Sequence, residues 1–267
     1  MSRRYLTFTC EGEMLVGTLD EGDNCVGLLV VTGGNELRSG AFSGQAQLAQ
    51  RLSEQGHPVF RFDRRGVGDS TGENREFRSA GPDIAAAMAA FRTEAPQVKR
   101  IVGFGICDGA ASLMLERGAA CDALVLANPW SFDEDMGDAM PAEAIRKRYA
   151  EKLTDPSEWA RLAKGKVSLT KLTDGLKRAV TPAPPTSTLL SELRDGLAAF
   201  GGTAHILIGE RDRTGSAFVI GWGKDERLVR RAGADHAFSA AEDREWLEAQ
   251  LLAALKEQAR QLDMGRP

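Results

Sequence analysis

Gly105-Ile106-Cys107-Asp108-Gly109 closes the apolar run Ile101-Val102-Gly103-Phe104-Gly105 and opens onto Ala110-Ala111-Ser112-Leu113. A buried strand therefore passes through a tight turn straight into a helix. Glycines two positions either side of Cys107 suit a side chain presented on strained backbone, because a Cβ at either place would collide with the adjoining strand and helix. A thiol at the apex of such a turn points to nucleophilic attack on acyl groups. Rival readings of these residues compete. A buried cysteine at an ordinary strand-to-helix turn has the same letters, since free cysteine is among the most buried residue types. Gly103-Phe104-Gly105 invites a dinucleotide-binding loop, but the third glycine of that pattern would fall at Asp108, a carboxylate where a pyrophosphate must approach. Thr32-Gly33-Gly34-Asn35 makes no phosphate loop, because no Gly-Lys-Ser/Thr follows it.

Outward from this turn, short apolar runs recur, each followed by turn residues and then a helical pattern. The spacing predicts an α/β fold with a mostly parallel sheet and helices on both faces. Its strands fall at Gly27–Val31, Val59–Phe62, Arg100–Phe104, Ala123–Ala127 and Ala204–Ile208. Their continuous apolarity fits burial on both sides. Residues 1–20 read as an antiparallel hairpin at the sheet edge. Helices are expected near Gln45–Gln55, Gly81–Thr93 and Asp108–Arg117, and Ser239 with Glu242 suggests a capping box opening a final helix. Residues 131–203 are too long for a loop and read as a helical lid inserted between core segments 1–130 and 204–267. A helix start at Asp155-Pro156-Ser157-Glu158, a proline-rich break at Thr181–Thr186 and a resumed helix at Leu189–Phe200 support that division.

The 267 residues carry a net charge of −4, which argues against a general nucleic-acid binder. Charge is nevertheless uneven: between Pro141 and Val180 ten basic residues face five acidic ones, so the expected lid suits an anionic substrate or is simply a solvated face. The four cysteines, Cys10, Cys25, Cys107 and Cys121, show no metal-ligand or CxxC spacing. Neither a metal nor another cofactor is expected. Free thiols and the lack of a signal-peptide or membrane-spanning run place the protein in the cytoplasm.

The Gly105–Gly109 turn resembles the G-x-S-x-G nucleophile elbow of α/β-hydrolases, with cysteine in place of serine. That resemblance implies a chain order of nucleophile, acid, histidine. Of only three histidines, His57 and His205 lie at strand starts and read as structural, whereas His236 lies in the late loop Gly233–Ser239 before the final helix. Asp212, just past the Ala204–Ile208 strand, is the acid that would orient it. Asp133 is a less suitable substitute, and Asp235 stands too close in sequence to turn towards His236. The oxyanion would be held by the backbone N–H of Asp108 and by that of Gly34 or Asn35, with the helix N-terminus favouring a thiolate at Cys107.

Phe62-Asp63-Arg64-Arg65-Gly66-Val67-Gly68-Asp69-Ser70 is similar to the D-x-R-G-x-G-x-S turn of the same superfamily, and reads as a structural element that positions its loop. Together with Thr32–Gly40, the elbow, Asn128-Pro129-Trp130 and the basic lid, it makes nearly the whole chain resemble the first type of exosortase-A-system-associated hydrolases. The resemblance implies an enzyme encoded near exopolysaccharide-synthesis and protein-sorting genes, and supplies no substrate. More distantly, a Cys-His-Asp triad on this fold is similar to those of dienelactone hydrolases and polyhydroxyalkanoate synthases. The leading expectation is hydrolysis of a small-molecule ester or thioester through a thioester acyl-enzyme. Acyl transfer to an amine or sugar hydroxyl, and a non-catalytic binding protein on the same fold, stand as alternatives.

Overall fold

The computed structural model describes residues 2–132 and 188–264. Eight strands form one sheet: β1 (Arg3–Cys10), β2 (Glu13–Asp20), β3 (Val26–Val31), β4 (Val59–Phe62), β5 (Arg100–Ile106), β6 (Ala123–Ala127), β7 (Thr203–Gly209) and β8 (Leu228–Arg231), in the order β1-β2-β4-β3-β5-β6-β7-β8. The β1–β2 hairpin and the β2–β4 pairing are antiparallel, and every other neighbour is parallel. The expected edge hairpin and the five expected strands are all present, with ends shifted by up to two residues.

Among the described residues the helices are α1 (Gly44–Glu54), α2 (Gly81–Glu94), α3 (Asp108–Leu115), α4 (Thr188–Ala199), α5 (Arg213–Trp222) and α6 (Ala241–Met264). The alternation of side chains along each strand divides the core in two. Leu29, Val31, Ile101, Leu124 and Leu126 join Ile84 of α2, Leu113 of α3, Leu193 of α4 and Phe218 of α5 on one face. Leu28, Val30, Val102, Phe104 and Val125 join Leu48 and Leu52 of α1 and Leu247, Leu251 and Leu255 of α6 on the other. Each such side chain gains about 1.5–3 kcal/mol from leaving water, and this double burial is why the central strands are predominantly apolar.

Ser239 does not open the last helix through a capping box: its hydroxyl and backbone N–H both donate to Asp235, and α6 begins only at Ala241. An acceptor four residues upstream has won over the local Ser-x-x-Glu pattern. Of the expected lid, the closing helix α4 is described, and it packs Leu189, Leu190, Leu193 and Leu197 into the same core cluster as α3. Residues 133–187, with the basic residues, the helix start at Asp155 and Asp133, lie outside the described residues.

The topology also decides where a site can form. The chain winds outward from β3 to β4 on one side and then crosses to β5 on the other, so the loops after β3 and β5 part above the sheet and leave a crevice at their carboxyl ends. The turn at Cys107 and the loop starting at Thr32 both stand at this crevice.

Candidate active site

Cys107 adopts φ 56° and ψ −125° between β5 and α3, a conformation that L-residues rarely hold and that persists only where its surroundings enforce it. Its N–H donates to the Ala127 carbonyl at 3.0 Å, and its own carbonyl accepts from Trp130 N–H at 3.1 Å. The flanking glycines are required by space. A Cβ on Gly105 would lie 2.6 Å from Ala110 N, and one on Gly109 would lie 2.3 Å from the Val31 carbonyl. Gly109→Ala therefore has to push α3 off β3, and we expect it to lower stability by about 3 kcal/mol, read as a shift in urea midpoint without a change in slope.

His236 and Asp212 come together across the ends of β7 and β8. His236 Nδ1 lies 3.0 Å from Asp212 Oδ2, and the same oxygen accepts the Gly215 N–H at 2.7 Å. Asp212 thus caps α5 and meets the imidazole with one buried carboxylate oxygen. Asn128, at the end of β6, holds the histidine loop in place: its Nδ2 donates to the His236 carbonyl at 3.0 Å and its Oδ1 accepts the Gly209 N–H at 2.9 Å. Phe238 is fully buried and stacks on Trp246 at 5.8 Å, pinning the loop from the other side. Asp235 turns away to Ser239.

The hydrogen bond from His236 to Asp212, a second one to Cys107 and the two nearby negative charges push the imidazole pKa up to about 10, against burial that would lower it. A contact with Cys107 on one side and Asp212 on the other puts the imidazole where it can pass a proton to or from a thiol while a carboxylate orients the ring. Because the imidazole titrates at an ordinary 6.5 when unfolded and about 10 when folded, its stabilising contribution is complete below pH 6.5, declines as pH rises from 6.5 to about 10, and is lost above. The Tm difference between wild type and His236→Ala is expected to narrow over that window, which scanning calorimetry at stepped pH checks.

The remaining histidines and cysteines do not reach this site. His57 Nδ1 lies 3.0 Å from the Val26 carbonyl, with its pKa lowered by burial, and His205 faces Glu257 at 3.8 Å on α6. Burial, aided by the Asp83 carboxylate, pushes the Cys10 thiol up to about 11, and burial pushes Cys121 up to about 12. All four cysteines are free. Among the described residues no group of three or more His, Cys, Asp or Glu side chains is gathered to hold a metal ion, and no helix is long and apolar enough to cross a membrane.

The loop after β3 presses on the elbow. A Cβ on Gly33 would lie 2.9 Å from the Cys107 Cβ, and Gly34 has φ 55°. The Asp108 backbone N–H has no hydrogen-bond partner among the described residues. The Gly34 N–H, by contrast, is taken: it donates at 2.5 Å to Asp108 Oδ1. Asn35 is exposed and accepts through its side chain from Asn74 at 2.5 Å.

Three contributors have no clear signal in the sequence. Arg64 is 4% exposed, donates to the Gly34 carbonyl and sits 3.7 Å from Asp108 Oδ1. Glu36 accepts from Ala41 N–H at 2.6 Å and from Gln45 at 3.0 Å, and burial raises its pKa while His236 opposes the rise. Asn128 is visible only as part of an Asn-Pro-Trp string. Asp63 grips the same loop through the Arg38 N–H at 2.6 Å and its guanidinium, which gives the Phe62–Ser70 turn its positioning role.

None of the curated proteins matches the sequence. Among solved structures the chain is similar to the alpha/beta hydrolase GrgF from Penicillium sp. sh18, with a TM-score of 0.65 and 18% identity, covering 96% of this chain and 99% of that one. It is similar also to the Pyrococcus furiosus esterase Pf2001, with a TM-score of 0.61 and 16% identity, covering 96% and 91%. A third likeness is to Est1E from Butyrivibrio proteoclasticus, solved with ferulic acid bound, with a TM-score of 0.58 and 18% identity, covering 96% and 98%. At such identities the likeness is one of fold. The alpha/beta hydrolase family profile matches residues 28–250, and the chain belongs to that family.

Proposed function

We propose that the protein is an acyl hydrolase that cleaves a small-molecule ester or thioester through Cys107, His236 and Asp212. The observation that carries this reading is the 3.0 Å His236–Asp212 pair in contact with a cysteine held at φ 56° on the elbow. The sulfur attacks as thiolate, the form in which thiols are nucleophilic, and forms a bond to the carbonyl carbon. The tetrahedral oxyanion is received by the Asp108 N–H, with Gly34 or Asn35 as second donor. When the intermediate collapses, the bond to the leaving group breaks and His236, protonated at neutral pH, gives that group its proton. Neutral imidazole then takes a proton from water, which attacks the thioester and frees Cys107.

The esterase likenesses agree with this reaction class, and the motifs shared with exosortase-associated hydrolases favour the finer reading of an enzyme serving exopolysaccharide synthesis. An acceptor hydroxyl or amine in place of water would turn the same acyl-enzyme into a transferase. The test is mass spectrometry after brief exposure to p-nitrophenyl acetate and, separately, to iodoacetamide. Cys107 is expected to label at least about tenfold faster than Cys25, Cys10 or Cys121, since thiolate fraction and access control the rate. Equal labelling of Cys107 and Cys25 would sink the proposal. Released acid measured with and without added amine or sugar acceptor separates hydrolysis from transfer.

A further inference from the structure

The Asp108 side chain is a feature that the proposed reaction does not use and that stands in its way. It follows the nucleophile directly, yet it folds back over the elbow so that Oδ1 lies 2.5 Å from the Gly34 N–H. In the proposed reaction that N–H is one of the donors available to the oxyanion, so an anionic oxygen already stands where the substrate's developing oxyanion would be received. Arg64 holds it there. This arginine, only 4% exposed, lies with its guanidinium 3.7 Å from the same oxygen. It spends Nη2 on the Gly34 carbonyl, while its Nε and Nη1 are buried with no hydrogen-bond partner among the described residues. A buried guanidinium with two unmet donors keeps an uncompensated positive field over this corner, and the only carboxylate paired with it among the described residues is Asp108. Arg64 and Gly34 thus bind an internal anion.

We propose that Asp108 is a built-in mask on the oxyanion site, and a determinant of which substrates are accepted. This inference rests on the proposed Cys107 reaction. With the carboxylate on Gly34, that second donor is taken, and an incoming carbonyl oxygen finds the Asp108 N–H without the Gly34 N–H beside it. A productive substrate displaces the carboxylate from Gly34 and takes its place against the N–H, with Arg64 nearby to balance the oxyanion. Simple activated esters, which bring nothing to compensate the displaced carboxylate, acylate the enzyme slowly. A substrate that carries a hydrogen-bond donor or a positive charge beside its scissile carbonyl gives the displaced carboxylate a new partner, and is preferred.

The test separates acylation, which builds an oxyanion, from alkylation, which does not. With p-nitrophenyl acetate the sulfur bonds to the carbonyl carbon and p-nitrophenolate leaves. With iodoacetamide the sulfur bonds to the methylene carbon and iodide leaves. Both rates respond to the thiolate, so their ratio cancels any change in Cys107 itself. Asp108→Ala keeps the backbone N–H and removes the mask, and is expected to raise the acylation-to-alkylation ratio about tenfold or more, a fraction of what one oxyanion donor is worth. Asp108→Asn keeps the shape and loses the attraction to Arg64, and should raise the ratio less. The preference of wild type for p-nitrophenyl glycinate over p-nitrophenyl acetate should shrink in Asp108→Ala. An unchanged or lower ratio in both variants overturns the mask while leaving the triad standing. If Cys107 alkylates no faster than Cys25, the proposed nucleophile falls, and the mask falls with it.

Discussion

Cys107→Ala is expected to abolish the acyl-enzyme and lower kcat with p-nitrophenyl esters by about 10⁴–10⁶-fold, the range seen when a nucleophile that works as part of a unit is removed. Stability should change little, because the side chain is only half-buried and donates no hydrogen bond that holds the backbone. Cys107→Ser is the more informative variant. A serine must surrender its proton to a base at the moment of attack, and Asp212, the largest cause of the raised imidazole pKa, stays in place in this variant and holds His236 more protonated than an ordinary imidazole. Activity should therefore stay about 10²–10⁴-fold below wild type, the usual worth of general-base help, and climb with pH as His236 loses its proton. Intact-protein mass spectrometry and a pH–rate profile check both parts. Full activity in Cys107→Ala would remove this residue from the chemistry altogether.

Substitution of Asp212 should show the second-largest effect, and the geometry divides it into two parts. A single oxygen, Oδ2, takes both the His236 Nδ1 contact at 3.0 Å and the Gly215 N–H at 2.7 Å. Asp212→Asn can place its amide oxygen there and keep both hydrogen bonds, losing only the negative charge. We expect a loss of about 10²-fold in kcat and a fall in the His236 pKa towards its ordinary value, visible as an acid shift in the pH–rate profile and in the imidazole NMR titration. Asp212→Ala removes the orientation as well, with an expected loss of about 10⁴-fold and about 1 kcal/mol of stability from the vacated helix cap. Equal kcat in the two variants would mean that the charge, and not the orientation, carries the effect.

Much of the architecture is legible because it rests on local patterns. Strands such as Val59–Phe62 and Ala123–Ala127 are predominantly apolar since both faces are covered, and a short apolar run bounded by turn residues suits a doubly covered strand better than a helix. Gly105 and Gly109 announce their role because a Cβ at either would strike backbone. Candidate residues Cys107, Asp212 and His236 are each legible from their position at a strand end or late loop. Ser239 misleads because its pattern is local while its partner, Asp235, is reached by the turn of the loop. Arg64, Glu36 and Asn128 give no clear signal of their contacts. Arg64 acts on Gly34 and Asp108, and Asn128 on the His236 carbonyl and Gly209 N–H, all of them far away in sequence.

By itself, then, the sequence determined the alternation of strands and helices and the residue types available for chemistry, since burial periodicity and glycine sterics depend on near neighbours. Tertiary structure alone decided which atoms meet. The reversal of winding between β3 and β5 brings Gly34, 74 residues upstream of Asp108, onto the elbow. There the Asp108 carboxylate, held between a backbone N–H and a buried arginine, occupies a donor that the sequence had left open for the oxyanion, and no local pattern records where a side chain folds back.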